Sequence, residues 1–370
     1  MTTLARDQRT VGPVAGLAPE KSRATEIWQS NRWWIKRTAL LPVHVFVFAI
    51  ISFFIVLLIP GDPVKLVGGP QITAAQYATI QKALGLNGSV FSQLLTYLNN
   101  IVHLNFGVSA YSGKSVLSEF SVRLPATLEL TLIAFVISIV FAVAASWFVL
   151  MRPRNVLSRI LTAYSRTAGA IPQYLLAVAA IFIFFATLHW APAPLGRMSP
   201  GLAAVPPITN LPLLDSILRG RFDATGSIVA HLTLPVLVLV ASQADLLIKI
   251  LVRALEEEVD RPSTWFRIAS GVPRRIVFLS VFRRALPQLV VLLAAMFGFS
   301  LGGAVLLENL FSLGAMGQYA VDAINTKDIV ALRGFLLFTA TVSLIVFLIV
   351  DLVNMILDPR RRSDTATKGN

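Results

Sequence analysis

The chain has 370 residues, of which 55% are hydrophobic and only 14% are charged. Soluble domains are about one quarter charged, so this composition excludes an ordinary soluble protein and predicts an integral membrane protein. The formal net charge is +13 at pH 7. In a membrane protein such an excess is typical of Lys and Arg in cytoplasmic loops, so we expect no nucleic acid partner. The sequence has no cysteine and four scattered histidines, so we predict neither disulfides nor a metal site.

Six apolar segments are long enough to cross a bilayer core, which takes about 20 helical residues. Because backbone polar groups in lipid must find partners within their own segment, all six are predicted to be α-helices. The segments lie at residues 38–59, 125–150, 160–188, 229–250, 287–309 and 333–357. The predicted fold class is therefore an all-α integral membrane protein with six transmembrane helices.

The basic residues predict how these spans are oriented. If the N terminus is cytoplasmic, most of the 32 Lys and Arg residues fall in cytoplasmic segments. This bias predicts that both termini lie in the cytoplasm. The predicted organisation is a disordered N-terminal tail, a six-span domain with two large outer loops and one inner loop, and a C-terminal tail. These parts are residues 1–37, 38–359 (outer loops 60–124 and 190–228, inner loop 251–286) and 360–370.

The inner loop contains the basic stretch WFRIASGVPRRIVFLSVFRRALPQ, at residues 265–288. Gly271 and Pro273 predict a break in the chain, and the apolar spacing after it predicts a short amphipathic helix. Its apolar positions would be Ile276, Leu279, Phe282 and Leu286, or Val277 and Val281 in another register, with Arg274, Arg275, Arg283 and Arg284 beside them. Two interpretations are open. The helix could lie on anionic lipid, or it could dock into a groove of a cytoplasmic partner.

Several segments, in chain order, resemble permease subunits of binding-protein-dependent ABC importers of the dipeptide and oligopeptide class. The resemblance extends over residues 38–362. The segments are IPGDPVKLVGG (59–69), ALGLNGSVFSQLLTYLNNIVHLNFGVS (83–109), RLPATLELTLIAF (123–135), AGAIPQYLLA (168–177), HLTLPVLVLV (231–240), GGAVLLENLFSLGAMGQYAVDAINTKD (302–328) and VDLVNMILDPRRR (350–362).

This resemblance implies a type I ABC importer permease in the cytoplasmic membrane of a prokaryote, which moves peptides inward by alternating access. It implies a second, similar permease, one or two cytoplasmic ATPase chains and an extracytoplasmic solute-binding protein that docks on the outer loops. The ATPase would bind ATP and Mg, and this chain would hold no cofactor and catalyse no reaction. The sequence agrees, because YSGKS (111–115) lacks the first glycine of a phosphate-binding loop: Val108 stands there.

Other functions remain open at this point. One is a carrier driven by an ion gradient, which would need broken helices with ionisable groups at mid-span. Another is a permease of the same family that carries a nickel complex, haem or a sugar. A third is a membrane scaffold that binds a partner and transports nothing.

In the family that the chain resembles, the last long cytoplasmic loop couples the permease to the ATPase. Its pattern is an Ala-rich stretch, a glycine and then Leu-Pro. Here these features correspond to residues 268–271 and to Leu286-Pro287, in a loop that is shorter than is usual in the family. The resemblance therefore assigns ATPase coupling to Arg267, Ala269, Ser270, Gly271, Val272, Pro273, Arg274 and Arg275.

Charged residues within the spans are the remaining candidates. A charge is costly in lipid, so each should face the protein interior, water or the interface. Glu129, in LPATLEL, and Glu308 with Asn309, in VLLENLF, are the candidates for a translocation path or gate. The alternative for them is a structural role. We predict no catalytic residue and no metal ligand.

Overall fold

The computed structural model describes residues 23–58, 62–69, 71–83 and 86–357. These residues are mostly helical and form no strand, which confirms the predicted all-α class. The helices are α1 (Arg23–Leu57), α2 (Pro63–Gly68), α3 (Ala74–Ala83), α4 (Val90–Val102), α5 (Val116–Met151), α6 (Val156–Thr167), α7 (Gln173–Ala180, continued by a π-helix Ile181–Thr187), α8 (Pro212–Leu218), α9 (Phe222–Val259), α10 (Pro262–Ala269), α11 (Arg274–Leu310), α12 (Met316–Asn325) and α13 (Ile329–Leu357).

Four stretches of the described residues are long and apolar enough to cross a membrane. They are Thr38–Leu57 of α1, all of α5, all of α9, and Ile329–Val350 of α13. The bent pair α6–α7 is a fifth if it is counted as one span. The remaining predicted span, 287–309, lies inside α11, where the apolar part Ala295–Leu310 is shorter than the other spans. The number of six spans therefore stays a prediction.

The third predicted span differs most from the structure. Residues 160–188 are helical on both sides of a break and do not form one continuous helix, because the axes of α6 and α7 meet at 109°. The break lies at Ile171-Pro172, where Ile171 has extended backbone angles. A proline disfavours the helical conformation of the residue before it and has no N–H to donate. Pro172 was thus the signal in the sequence for this break. We did not use it, because the residues on both sides of it are apolar enough for a span.

The N-terminal helix begins earlier than expected. Residues 23–37, which we predicted to be part of a disordered tail, are helical as the first part of α1. The stretch from Arg23 to Leu41 contains neither glycine nor proline, so nothing in it interrupts the helix of the first span. The rest of that tail and the C-terminal tail 360–370 lie outside the described residues.

The long helices extend beyond the bilayer. α5 has 36 residues and α9 has 38, which at 1.5 Å per residue gives lengths of roughly 55 Å, against a bilayer core of about 30 Å. Much of the predicted loop sequence is therefore helical: α5 starts in the outer loop 60–124, and α9 continues into the inner loop 251–286. The helical pattern expected within 60–124 is confirmed by α2, α3 and α4.

Two apolar clusters hold the helices together. The larger lies between α5, α9 and α11, with α7 beside it, and its fully buried members include Leu130, Leu239, Leu247 and Leu251. The smaller joins α1, α12 and α13 to the outer part of α5 through Val56, Phe120, Met316 and Ala331. Within a membrane such clusters stabilise the fold mainly through close packing.

Candidate functional site

A short helix, α10, lies between two long ones in the predicted inner loop. α10 follows α9 after two residues, and four residues separate it from α11. The structure corrects the predicted position of the short helix. It precedes Gly271 rather than following it, and Arg274 and Arg275 begin α11, which continues without interruption past position 287.

The turn after α10 is closed by backbone hydrogen bonds. The N–H of Gly271 donates to the carbonyl of Ile268 at 3.1 Å, and that of Val272 donates to the carbonyl of Arg267 at 3.1 Å. Gly271 has φ +74°, the left-handed conformation that glycine adopts without strain. Together these features form the Schellman arrangement that ends a helix. This part of the predicted coupling sequence is therefore a helix cap.

One side of α10 is exposed and apolar. Trp265 is 60% exposed, Phe266 73% and Ile268 48%, and Arg267, which is also exposed, lies beside them on the side toward α11. Our sequence prediction omitted Trp265 and Phe266. The available signal was a pair of adjacent aromatic residues in the otherwise mostly polar stretch EEEVDRPSTWFR, at residues 256–267. Exposed apolar groups in such a cluster indicate a surface that another molecule covers.

The other side of α10 is fastened to the long helices. The buried Glu258 of α9 lies 3.0 Å from Nε of Arg284 and 2.9 Å from Nη2 of Arg261. Arg284, on α11, also donates to Oγ1 of Thr264 at 2.7 Å and to Oγ of Ser263 at 3.2 Å. α10 is therefore linked to α9 and α11 through one guanidinium, so a force on α10 would be transmitted to both.

Arg267 also belongs to this arrangement. Its Nη1 donates to Oγ of Ser280 on α11 at 2.7 Å. The other predicted coupling residues lie on the same side of the molecule. They are Ala269, Ser270, Gly271, Pro273, Arg274 and Arg275, all exposed, and Val272, which is half-buried.

A second set of polar residues is buried near the outer ends of the helices. Glu129 on α5 is 7% exposed and Glu308 on α11 is fully buried. Nη1 of Arg197, from the outer loop 190–228, lies 3.6 Å from Oε2 of Glu129. The Coulomb interaction with Arg197 also reaches Glu308. The structure thus brings both acidic candidates to one cation that the sequence analysis did not single out.

Each member of this charge cluster also bonds to the backbone. Glu129 accepts hydrogen bonds from the backbone N–H groups of Leu213 and Leu214, at 2.9 and 3.2 Å, in the first turn of α8. A helix N terminus favours a carboxylate there. Oε2 of Glu308 accepts from the N–H of Gly317 at 2.7 Å, at the start of α12.

Arg197 joins its own loop to α5 and to the turn between α11 and α12. It donates to the carbonyl of Leu313 at 3.0 Å and to that of Ala126 at 2.9 Å. Burial lowers the pKa of the Arg197 guanidinium, and the negative charges of Glu308 and Glu129 act in the opposite direction. An arginine nevertheless stays charged in proteins. The cluster of Glu129, Arg197 and Glu308 therefore fastens the loop 190–228, which includes α8, to α5, α11 and α12. Asn309, the third candidate, is exposed and points elsewhere.

The fold and these two sites define a multi-span membrane protein with a short exposed helix between two long ones and a buried cluster of charges at other helix ends. The chain belongs to the family of binding-protein-dependent transport system inner membrane components, whose model matches residues 134–363. A second model, binding-protein-dependent transport system membrane component, N-terminal, matches residues 31–131. This confirms the resemblance found in the sequence. The chain is thus a transport permease of the membrane.

Curated relatives cover most of this chain. A di/tripeptide transport system permease protein of Pseudomonas aeruginosa (strain UCBPP-PA14) is 28% identical over 329 residues, 88% of this chain and 97% of its own length. Dipeptide transport system permease proteins of Alkalihalophilus pseudofirmus and of Escherichia coli (strain K12) are 28% and 27% identical, over 87% and 85% of this chain and 96% and 93% of their own lengths.

Proposed function

We propose that this chain is one of two permease subunits of an ATP-driven importer and that α10 is its contact with a separate ATPase. The observation that carries this proposal is the exposed apolar face of α10, held to two spanning helices by Arg284 and Glu258. An apolar helix face with a basic residue beside it suits a groove on a protein partner. ATP and Mg would bind to that partner.

Peptides are the proposed cargo. Support comes from the relatives, whose names describe dipeptide or di/tripeptide transport. A solute-binding protein would deliver the peptide to the outer loops, as the family description implies. The cluster of Glu129, Arg197 and Glu308 would then act as part of the outer gate, since it joins the outer loop to three helix ends. The termini are proposed to be cytoplasmic because the basic residues concentrate on that side.

A carrier driven by an ion gradient remains the alternative. The supporting observation is the break between α6 and α7, because the carboxylate of the buried Asp245 lies against Gly169 there. Broken helices beside ionisable groups are typical of such carriers. Membership in a family named for binding-protein dependence supports the ATP-driven importer instead. Uptake into cells depleted of ATP but with an intact ion gradient separates the two: the importer loses uptake and the carrier keeps it.

The docking role of α10 is tested by co-purification with the ATPase from detergent. We expect Phe266→Asp to lose the ATPase, because the substitution places a charge in the apolar contact. Ile276→Asp is the matched control, since Ile276 is 55% exposed on the first turn of α11. Loss with I276D and retention with F266D would instead support docking by the segment after Gly271. If no ATPase is recovered with the wild-type chain, the proposal is wrong.

A further inference from the structure

Helix α4, in the outer region between the first two spans, has two distinct sides. Ser89 caps its N terminus by accepting a hydrogen bond from the N–H of Ser92 at 3.3 Å. At 3.6 residues per turn, Ser92, Thr96 and Asn99 lie together on a polar side, and the apolar residues lie opposite. None of the residues in its sequence, VFSQLLTYLNNIV, is charged.

One part of the apolar side packs on the first spanning helix. The ring of Tyr97 lies 5.7 Å from that of Phe53, and its hydroxyl lies 3.2 Å from Oγ of Ser52. The guanidinium of Arg333, on α13, lies 5.4 Å from the Tyr97 ring and 4.3 Å from the Phe53 ring. A cation over aromatic faces is attractive. α4 is thus fixed to the pair α1–α13.

The rest of the apolar side has no cover within the described residues. Phe91 is 67% exposed, Leu95 52% and Val102 73%. These three residues fall on one stripe of the helix, between the Tyr97 side and the polar side. A stripe of this kind is unfavourable when it faces water, because apolar surface is stabilised by removal from water.

The contact with Ser52 places α4 at the level of the bilayer. Ser52 lies five residues before the end of the apolar stretch Thr38–Leu57, which is about 7.5 Å along a helix. Around that level α1 presents Ile51, Phe54 and Ile55, each 43–48% exposed. Thr38–Leu57 is long and apolar enough to cross the membrane, and exposed apolar side chains on such a span suit contact with lipid. The exposed stripe of α4 lies next to this lipid-facing surface.

We propose that α4 lies in the outer surface of the membrane, with Phe91, Leu95 and Val102 among the acyl chains and its polar side toward water. Acyl chains fit this surface because the stripe is apolar, continues a lipid-facing one and lies on a helix without charge. Helices of this type bind through their buried apolar area. The binding-protein contact expected on residues 60–124 would then fall on other parts of that region. The proposal does not depend on what the chain transports.

The absence of native cysteine allows a direct test with single spin labels. The full chain is reconstituted in nanodiscs of a zwitterionic phospholipid, with a label at Leu95→Cys or Phe91→Cys. Thr96→Cys and Ser92→Cys are the controls, because both lie exposed on the polar side. Collision with molecular oxygen, which concentrates in acyl chains, is compared with collision with a water-soluble nickel chelate.

We expect a several-fold higher ratio of oxygen to nickel collisions at positions 91 and 95 than at positions 92 and 96. Equal ratios, with nickel reaching all four positions, would overturn the proposal and place α4 in water. Low collision with both reagents at positions 91 and 95 would also overturn it, because a protein partner or a second copy would then cover the stripe. Two labelled positions on the stripe keep the test valid if one variant fails to fold.

Discussion

Arg197 lies 3.6 Å from the carboxylate of Glu129, although the two residues are distant in sequence and only Glu129 belongs to a spanning helix. The arginine has little contact with water, since its side chain is 11% exposed. A charge in such a place is stable only if it is paired and hydrogen-bonded. The two carbonyl groups that Arg197 also contacts meet this requirement. The residue therefore determines how the loop 190–228 sits on the helix ends.

Loss of the Arg197 charge should weaken the outer end of the protein. We expect Arg197→Met to lower stability by about 3–5 kcal/mol, the range for leaving one partner of a buried pair alone. Thermal unfolding of the purified chain in detergent measures this. The double variant with Glu129→Gln should lose less than the sum of the two single variants, because the charges interact. Arg219→Met, at an exposed position, is the control and should resemble the wild type. Simple additivity of R197M and E129Q would contradict the pairing.

The inner arginines allow a matched comparison of neighbours. Arg284 binds Glu258 and two hydroxyl groups of α10, whereas Arg283 is exposed. We expect Arg284→Met to speed amide hydrogen exchange in residues 262–269 and to reduce transport, because α10 loses its fastening. Arg283→Met should leave the exchange unchanged. Equal exchange in both variants would mean that α10 is held by other contacts.

Two glycines near the outer end of α11 should respond in opposite ways to alanine. A Cβ at Gly317 would overlap the backbone carbonyl of Val305, whereas a Cβ at Gly302 meets no atom within 4 Å. We expect Gly317→Ala to destabilise the chain strongly, since backbone must move. Gly302→Ala should stabilise it by up to about 1 kcal/mol through helix propensity. Melting temperatures of the two variants give the answer. A harmless G317A would show that α12 can shift away from α11.

Asp215 should make the outer loop sensitive to acid. Burial acts to raise the pKa of its carboxyl, but hydrogen bonds from Thr209 outweigh burial and hold the pKa below its ordinary value of 3.8. Thr209 donates from its N–H at 2.8 Å and from Oγ1 at 2.6 Å. A depressed native pKa means that the unfolded chain binds the proton more readily. The ionised carboxylate of Asp215 therefore stabilises the folded chain above pH 3.8, and this stabilisation is lost as the pH falls below that value.

The test compares the wild type with Asp215→Asn as the pH is lowered. At pH 7 the variant should be less stable by about 1–3 kcal/mol, because a charge-assisted acceptor is replaced by a neutral one. The difference in melting temperature should shrink as the pH approaches 3. A difference that stays constant over this range would mean that the carboxylate charge contributes nothing.

Orientation can be tested with cysteines placed on the two faces. Ser270→Cys lies after α10 and Ser112→Cys lies in the outer region, and both positions are exposed. In intact cells we expect an impermeant maleimide to label position 112 and not position 270. After the membrane is permeabilised, both should react. The reverse pattern would contradict the orientation that the basic residues predict.

The sequence alone determined that this is a helical membrane protein and what its family is. Long apolar runs are local properties, and the bilayer leaves the backbone no choice but helix. The cost of charge in lipid also singled out Glu129 and Glu308 as path or gate candidates, because that cost depends on each residue and its span alone. The structure buries both side chains, and their role as path or gate stays a prediction. The proline that bends the third span was visible as well, but the apolar composition on both sides concealed its effect.

The tertiary structure decided which residues meet. Arg197 sits in a loop rich in Pro and Gly with no local feature to mark it, and its role follows from Glu129, Leu313 and Ala126, all distant in sequence. The sequence also did not show that Arg284 holds α10 by reaching both Glu258 of α9 and Thr264 of α10. The two faces of α4 were present in the sequence, but their separation into a packed part and an exposed part required the contact of Tyr97 with Ser52. Such contacts depend on how helices pack, and the hydrophobic pattern of a single segment does not encode its neighbours.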